Sequence, residues 1–306
     1  MVGTRKLLSK ANRRLKQKES MEIGKIGVVG AGQMGSGIAQ VFAASGFRVV
    51  MTDVSDSALQ RGRATIETSL ARLVAKSKLD EAAKGEILAR VETGVDVTSL
   101  ADADVVIEAA TENLGLKEKI LGEIDRVCRQ ETIIATNTSS VSLTRLAAST
   151  ARADRVIGMH FFNPVPMMQL VEVIRALQTS DATYRAVEDL ARRVGKSPVS
   201  VKNSPGFVAN RILLPMINEA VFTLYEGLAS PADIDTVMKL GMSHPIGPLA
   251  LADLIGLDTC LAILETLYDG FCDPKYRPCP LLVEMVEAGR LGRKSGLGFF
   301  DYSAAK

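Results

Sequence analysis

The run Gly30-Ala31-Gly32-Gln33-Met34-Gly35 lies between the apolar stretch Ile26-Gly27-Val28-Val29 and a segment of helical spacing, and it leaves this chain little choice of fold. Three glycines at that spacing have separate physical duties: a tight turn out of a strand, close approach of backbone to a pyrophosphate, and close packing of helix on strand. The pyrophosphate then meets the first helical N–H groups, where the helix dipole is positive. Loops collect glycine for many reasons, so the context has to decide. Here the helix runs from Gln33 to Ser45, Gly46 caps it, and Phe47 to Asp53 reads as the next strand. A carboxylate at Asp53 can accept both hydroxyls of an adenosine ribose and would repel a 2′-phosphate. No arginine follows it closely, so the pattern selects NAD over NADP.

A chain of 306 residues with 47% hydrophobic residues and a net charge of +2 can bury a large core and is expected to divide into two domains. The basic excess is too small to suggest a nucleic-acid partner. No apolar run approaches the roughly 20 residues that span a bilayer, so membrane insertion is not expected. Cys128, Cys260, Cys272 and Cys279 lack the short paired spacing of a zinc site, so no metal is expected and they read as reduced thiols. Residues 1–20 differ from the rest: Arg5, Lys6, Lys10, Arg13, Arg14, Lys16 and Lys18 precede the first acid, Glu19. Such a segment fits either an organelle transit sequence or a basic extension ahead of a domain that opens at Met21. The second reading is preferred and implies a cytoplasmic protein, with mitochondrial import left open.

From Met21 to about Val201, apolar runs alternate with helical stretches: Ile26 to Val29, Val49 to Asp53, Val105 to Glu108, Thr132 to Thr136, Val156 to Phe161, Leu170 to Ile174 and Pro198 to Val201. This predicts an α/β fold, a doubly wound Rossmann-type sheet with helices on both faces. Between Ser55 and Val91 two helices, Ser57 to Lys76 and Asp80 to Arg90, stand where one crossover would suffice, so a helical hairpin is inserted. Its Arg61, Arg63, Arg72, Lys76 and Lys78 are either a cradle for an anionic substrate arm or a solvated helix face. After Lys202 the pattern becomes helical. Ser204 and Pro205 read as the N-cap and first residue of a helix to Tyr225, kinked at Pro215. Further helices are expected over Pro231 to Leu240, Pro248 to Leu267 and Pro280 to Ala288. The expected domains are therefore 21–202, binding NAD, and an all-helical 203–306, which covers the open end of the sheet, serves the substrate and offers apolar faces for a homodimer.

Only two histidines occur. His160 ends the strand Arg155 to His160, and ligands of open α/β sheets bind beyond the carboxyl ends of strands. An alcohol oxidation must remove a hydroxyl proton as hydride leaves the same carbon, a task suited to an imidazole titrating near neutral pH. Glu172, a carboxylate in the apolar strand Leu170 to Ile174, is the candidate to orient that ring. Taken alone, these residues fit equally a satisfied structural histidine and an edge-strand acid. Asn137-Thr138-Ser139-Ser140 follows another strand and either binds nicotinamide or substrate or forms a simple turn. Asn210 could reach a substrate carbonyl, and His244, among turn formers, reads as structural.

Together these segments resemble the short-chain 3-hydroxyacyl-CoA dehydrogenase family, including bacterial 3-hydroxybutyryl-CoA dehydrogenases. The resemblance runs from about Lys25 to Tyr302 and rests on Gly30 to Ala39, Asn137 to Ser140, His160-Phe161-Phe162-Asn163-Pro164, Asn203 to Arg211, His244 to Pro248, and Gly292 to Phe299. It implies NAD-dependent oxidation of an L-3-hydroxyacyl-CoA by His160 and Glu172, assisted by Ser139 and Asn210. It also implies NAD contacts at Gly30, Ala31, Gly32, Gln33, Met34, Gly35, Asp53, Glu112, Lys117, Ser139, Asn163 and Lys294. The hairpin is similar to the family's element that touches coenzyme A. Two rival readings are a dehydrogenase of a small free 3-hydroxy acid, disfavoured by the hairpin, and a non-enzymatic, crystallin-like cofactor binder, disfavoured by the intact polar residues.

Overall fold

The computed structural model describes residues 22–303; the basic segment 1–20 lies outside them. Eight strands form one sheet: β1 (Lys25–Val29), β2 (Arg48–Thr52), β3 (Val91–Gly94), β4 (Val105–Glu108), β5 (Ile133–Thr136), β6 (Val156–Phe161), β7 (Leu170–Arg175) and β8 (Ser197–Lys202). Their order is β3-β2-β1-β4-β5-β6-β7-β8, and every neighbouring pair is parallel except β6 with β7. The chain winds outward from β1 in both directions, so the order reverses between β1 and β4. That reversal opens a crevice at the strands' carboxyl ends. β4 and β5 are buried along their whole length, as strands covered on both faces must be.

Sequence reasoning missed β3. Of its four residues only Val91 is buried, so this edge strand carries no apolar run to read. Its place in the sheet comes from pairing with β2, Val49 beside Val91, rather than from hydrophobicity.

The helices of this part are α1 (Gln33–Ala44), α2 (Asp56–Ala75), α3 (Glu81–Ala89), α4 (Leu114–Val127), α5 (Leu143–Ala148) and α6 (Asp181–Arg193). Helices α2 and α3 are the inserted hairpin, each started by a side-chain cap. Ser55 accepts from the Ala58 N–H and Asp80 from the Ala83 N–H. A β-carbon on Gly62 would lie 2.7 Å from the Ala31 carbonyl oxygen, so only glycine lets α2 pack this closely on the glycine loop. α1 buries Ile38 and Phe42 against Val28, Val105 and Phe161 in one core, with the Phe42 ring edge-on to Phe47 at 5.6 Å and to Phe161 at 6.4 Å.

The described chain divides into two compact units after Asn203. The second is helical: α7 (Ala209–Tyr225), α8 (Pro231–Gly241), α9 (Pro248–Ile255), α10 (Leu257–Phe271) and α11 (Pro280–Glu287), packed around Leu214, Ile217, Val221, Leu249, Leu264 and Leu282. Two expectations are corrected here. The helix does not begin at Ser204 and Pro205, because Gly206 (φ +70°) and Phe207 (φ +51°) are both left-handed and interrupt the right-handed path before Ala209. The single helix expected over Pro248 to Leu267 is broken at Gly256, whose φ of +103° no helix accommodates. α9 starts at Gly247, which has no capping side chain; Asp235 of α8 supplies the acceptors instead, each oxygen 2.9 Å from the N–H of Leu249 or Ala250. Buried Asp253 likewise takes the N–H groups of Phe299 and Phe300 and the Tyr302 hydroxyl, fixing the segment that carries Lys294. Burial pushes the Asp253 carboxyl above its usual range.

Candidate active site

The glycine loop has the geometry that a dinucleotide requires. Gly30, immediately after β1, turns the chain at φ +103°, and its N–H donates to the Thr52 carbonyl at 2.7 Å. A β-carbon on Gly35 would sit 1.8 Å from the Gly30 carbonyl oxygen, inside any permissible contact. On Gly32 the same atom would meet nothing within 4 Å, so this position faces open space. Gly32 is also the N-cap of α1, with no side chain over the first-turn N–H groups and no acid in that turn. An open glycine above outward N–H donors is the cradle a pyrophosphate fits. Asp53 follows β2, its Oδ2 accepting from the Ala31 N–H at 2.9 Å and its Oδ1 from the Ser55 N–H at 3.3 Å. The carboxylate is thereby aimed at the loop's edge, where a ribose belongs.

Antiparallel pairing of β6 with β7 places His160 directly opposite Glu172. Their side chains share a face, and His160 Nδ1 lies 2.8 Å from Glu172 Oε2, with 7% of the histidine and 2% of the glutamate exposed. A proton on Nδ1 donated to the carboxylate makes Nε2 the basic nitrogen. Phe162 packs on the ring at a centroid distance of 4.6 Å. The Asn137 side chain accepts the Phe161 N–H at 2.8 Å and ties the loop after β5 to this strand. The reading of Glu172 as an exposed edge-strand acid is thus excluded.

At the ends of β4 and β5 a polar network holds Ser139. Glu112 Oε1 accepts from both the N–H (2.6 Å) and hydroxyl (2.8 Å) of Ser139, and its Oε2 accepts from the Thr138 hydroxyl at 2.6 Å. Beneath it, Lys117 from α4 reaches Glu108, the last residue of β4, at 2.6 Å, and approaches Glu112 at 3.8 Å. Lys117 is 1% exposed and Glu108 not at all. Glu108 also accepts from the Thr136 hydroxyl at 2.6 Å and the Ala110 N–H at 2.8 Å, so both of its oxygens are satisfied. Glu108 was not singled out from the sequence. The signal was present: a carboxylate ending the apolar run Val105-Val106-Ile107 has the same standing as Glu172 in its strand.

In the first unit, contacts join Asp53 to the glycine loop at Ala31, Glu112 to Ser139 and Lys117, and His160 to Glu172, while Gln33 of the loop and Asn163 line one cavity. Lys117 is engaged inside the protein rather than displayed. Asn210 and Lys294 belong to the second unit. Asn210 is buried in the first turn of α7, and the Lys294 ammonium lies 2.5 and 2.6 Å from the two oxygens of Asp258. Burial raises the Asp258 carboxyl, but the Lys294 hydrogen bond, the Lys294 charge and the backbone N–H groups of Thr259 and Asp258 together hold it below the usual range. Arg61, Arg63, Arg72, Lys76 and Lys78 are all exposed on the hairpin, and Arg63 donates to the Val91 carbonyl at 2.8 Å. Among the described residues no cluster could hold a metal ion, no helix is long and apolar enough to cross a membrane, and the four cysteines are unpaired.

A glycine-loop Rossmann sheet with a histidine–carboxylate pair at its strand ends defines the class of NAD-dependent oxidoreductases. Comparison with known proteins makes this specific. Residues 25–204 match the family described as 3-hydroxyacyl-CoA dehydrogenase, NAD binding domain, and residues 206–302 match its C-terminal domain. The 3-hydroxybutyryl-CoA dehydrogenase of Bradyrhizobium diazoefficiens is 54% identical over 93% of this chain and 97% of its own length. That of Clostridioides difficile is 50% identical over 91% and 99%. The crystal structure of (S)-3-hydroxybutyryl-CoA dehydrogenase from Ralstonia eutropha superposes with a TM-score of 0.89 at 61% identity, covering 92% of this chain and 99% of that one. The chain belongs to the 3-hydroxyacyl-CoA dehydrogenase family.

Proposed function

We propose that this enzyme oxidises L-3-hydroxyacyl-CoA to 3-ketoacyl-CoA and catalyses the reverse reaction, with 3-hydroxybutyryl-CoA as the preferred substrate. The observation that carries the proposal is the 2.8 Å contact between His160 and Glu172 at the carboxyl-terminal end of β6. The short acyl chain is supported by the relatives' names. His160 Nε2 accepts the C3 hydroxyl proton, and Glu172 stabilises the imidazolium formed while fixing the ring's orientation. NAD, when bound, supplies the acceptor for the C3 hydride. Ser139 and Asn210 hold the substrate. NAD is assigned to the loop Gly30 to Gly35, Asp53, Glu112, Lys117, Ser139, Asn163 and Lys294, with Ser139 serving both molecules. We assign residues 21–202 to NAD binding and 203–306 to substrate binding and dimerisation.

The basic side chains of the hairpin, Arg61, Arg72, Lys76 and Lys78, suit the phosphates of coenzyme A. Exposed Ile212, Leu228, Val237, Leu240 and Met242 on the helical unit support a homodimer formed through it, and the unpaired cysteines support a cytoplasmic location. NADH formation measured across 3-hydroxyacyl-CoA thioesters of increasing length is expected to be fastest at four carbons. A chain oxidising free 3-hydroxybutyrate but not its CoA thioester would refute the proposal. Glu172→Gln keeps the shape of the pair but removes its charge, so kcat falls by an amount comparable to or smaller than that for loss of His160. Unchanged kcat in this variant would remove Glu172 from the mechanism.

A further inference from the structure

Lys196 stands between α6 and β8 and is 8% exposed. Gly195 (φ +73°) ends α6, and the Lys196 N–H donates back to the Ala191 carbonyl at 3.0 Å, which fixes the backbone from which the lysine projects. Its ammonium donates to the Val165 carbonyl at 2.6 Å and to the Met168 carbonyl at 2.7 Å. Burial holds this amine below the usual lysine range, with no acid beside it to oppose the shift. An ammonium buried against neutral carbonyls costs more than an apolar side chain would, so its contribution lies in what those two charge-assisted bonds hold in place.

What they hold is the connection between β6 and β7. The Pro164 carbonyl accepts the N–H groups of Met167 at 2.9 Å and Met168 at 3.0 Å, folding the segment into a turn. Lys196 ties two carbonyls of that turn, and beside it the Ser197 N–H donates to the Gln169 carbonyl at 2.8 Å. On its other side buried Val165 presses on α1, where a β-carbon on Gly37 would come within 2.9 Å of the valine side chain. The turn is therefore gripped between the α6–β8 junction and the helix that opens with the glycine loop. Two residues immediately precede the grip. Phe162 packs on the His160 ring, and Asn163 lines a cavity with Gln33 of the glycine loop.

We propose that Lys196 is a positioning residue for the reaction: through the Val165 and Met168 carbonyls it fixes the turn that places Asn163 for the cofactor. The assignment rests on the reading of Asn163 as an NAD contact given above. Lys196 acts only through the turn, so its loss weakens the hold on the cofactor while the His160–Glu172 contact, set by strand register, persists.

Lys196→Met keeps most of the stem and removes the donors, leaving both carbonyls unpaired. The Kd for NADH from fluorescence quenching, and the KM for NADH in the reduction of acetoacetyl-CoA, are each expected to rise about tenfold, the scale of one charge-assisted hydrogen bond. The kcat at saturating NADH is expected to stay within about threefold of wild type. Lys196→Arg keeps charged donors and is expected to recover most of the affinity; Lys196→Gln, neutral but polar, is the milder variant and takes the place of methionine where that protein does not fold. A merely structural lysine gives the opposite split, a lower apparent kcat from fewer folded molecules with KM unchanged, and that result would overturn the proposal. A double-mutant cycle with Asn163→Ala tests the route. If Lys196 acts through Asn163, the double variant binds NADH no more weakly than Asn163→Ala alone; additive losses would overturn the proposal. A loss of affinity in Asn163→Ala with none in Lys196→Met or Lys196→Gln would strike Lys196 alone, whereas wild-type affinity in Asn163→Ala would remove Asn163 from the cofactor site and the proposal with it.

Discussion

Replacing His160 with glutamine is expected to lower kcat by about 100- to 10,000-fold, the usual worth of a positioned general base, while the affinity for NADH, read from fluorescence quenching, changes little. Glutamine can keep a hydrogen bond to Glu172 but cannot take a proton near neutral pH. His160 contacts Glu172 and Phe162, whereas Asp53 contacts the glycine loop, so the substitution leaves the loop's own hydrogen bonds intact. A loss confined to kcat is the mark of an interaction made in the transition state; a rise in KM alone would mark simple binding. Undiminished turnover would reject His160 as the base.

Lys117→Met is expected to destabilise the protein by about 3–5 kcal/mol, because it strands the Glu108 carboxylate inside the fold without its counter-charge. The pair is at 2.6 Å, and Glu108 is fully buried at the end of a central strand. Urea unfolding of the variant would therefore show a clearly lower midpoint. Adding Glu108→Gln is expected to recover most of the loss, since the carboxamide still accepts from Ala110 while Thr136 can turn its hydroxyl to accept. Wild-type stability in the single variant would show that the pair contributes nothing net. A double variant no better than the single would assign the loss to packing of the lysine stem.

The sequence made legible what depends on local chemistry. Apolar runs located every strand with a hydrophobic stretch, and the glycine spacing located a loop in which Gly30 makes the turn, Gly32 faces open space and Gly35 packs closely on Gly30. It did not reveal β3, whose pairing is a tertiary fact written in β2, nor the break at Gly256, where apolar helical spacing continues on both sides of the interruption. Ser204 and Pro205 have the right residue types for a helix start, but the left-handed backbone at Gly206 and Phe207 overrides them. In the site, His160 and Glu172 were nominated by residue type and strand position, yet their contact is a matter of register between strands, which no single strand specifies. Glu108 went unnoticed although it ends an apolar run just as Glu172 sits within one; that both of its oxygens are engaged and that it pairs with Lys117 depends on tertiary contacts.

The pairing of His160 with Glu172 across β6 and β7 separates two properties that could evolve together. The proposed acid–base pair is locked by strand register, whereas the intervening segment 162–169 is anchored from elsewhere, by Lys196 at the Val165 carbonyl. Insertions or substitutions in that segment can alter the loop without moving the two residues proposed to carry out the proton transfer. The connection between the two strands can thus vary in sequence and length while the His160–Glu172 contact stays fixed.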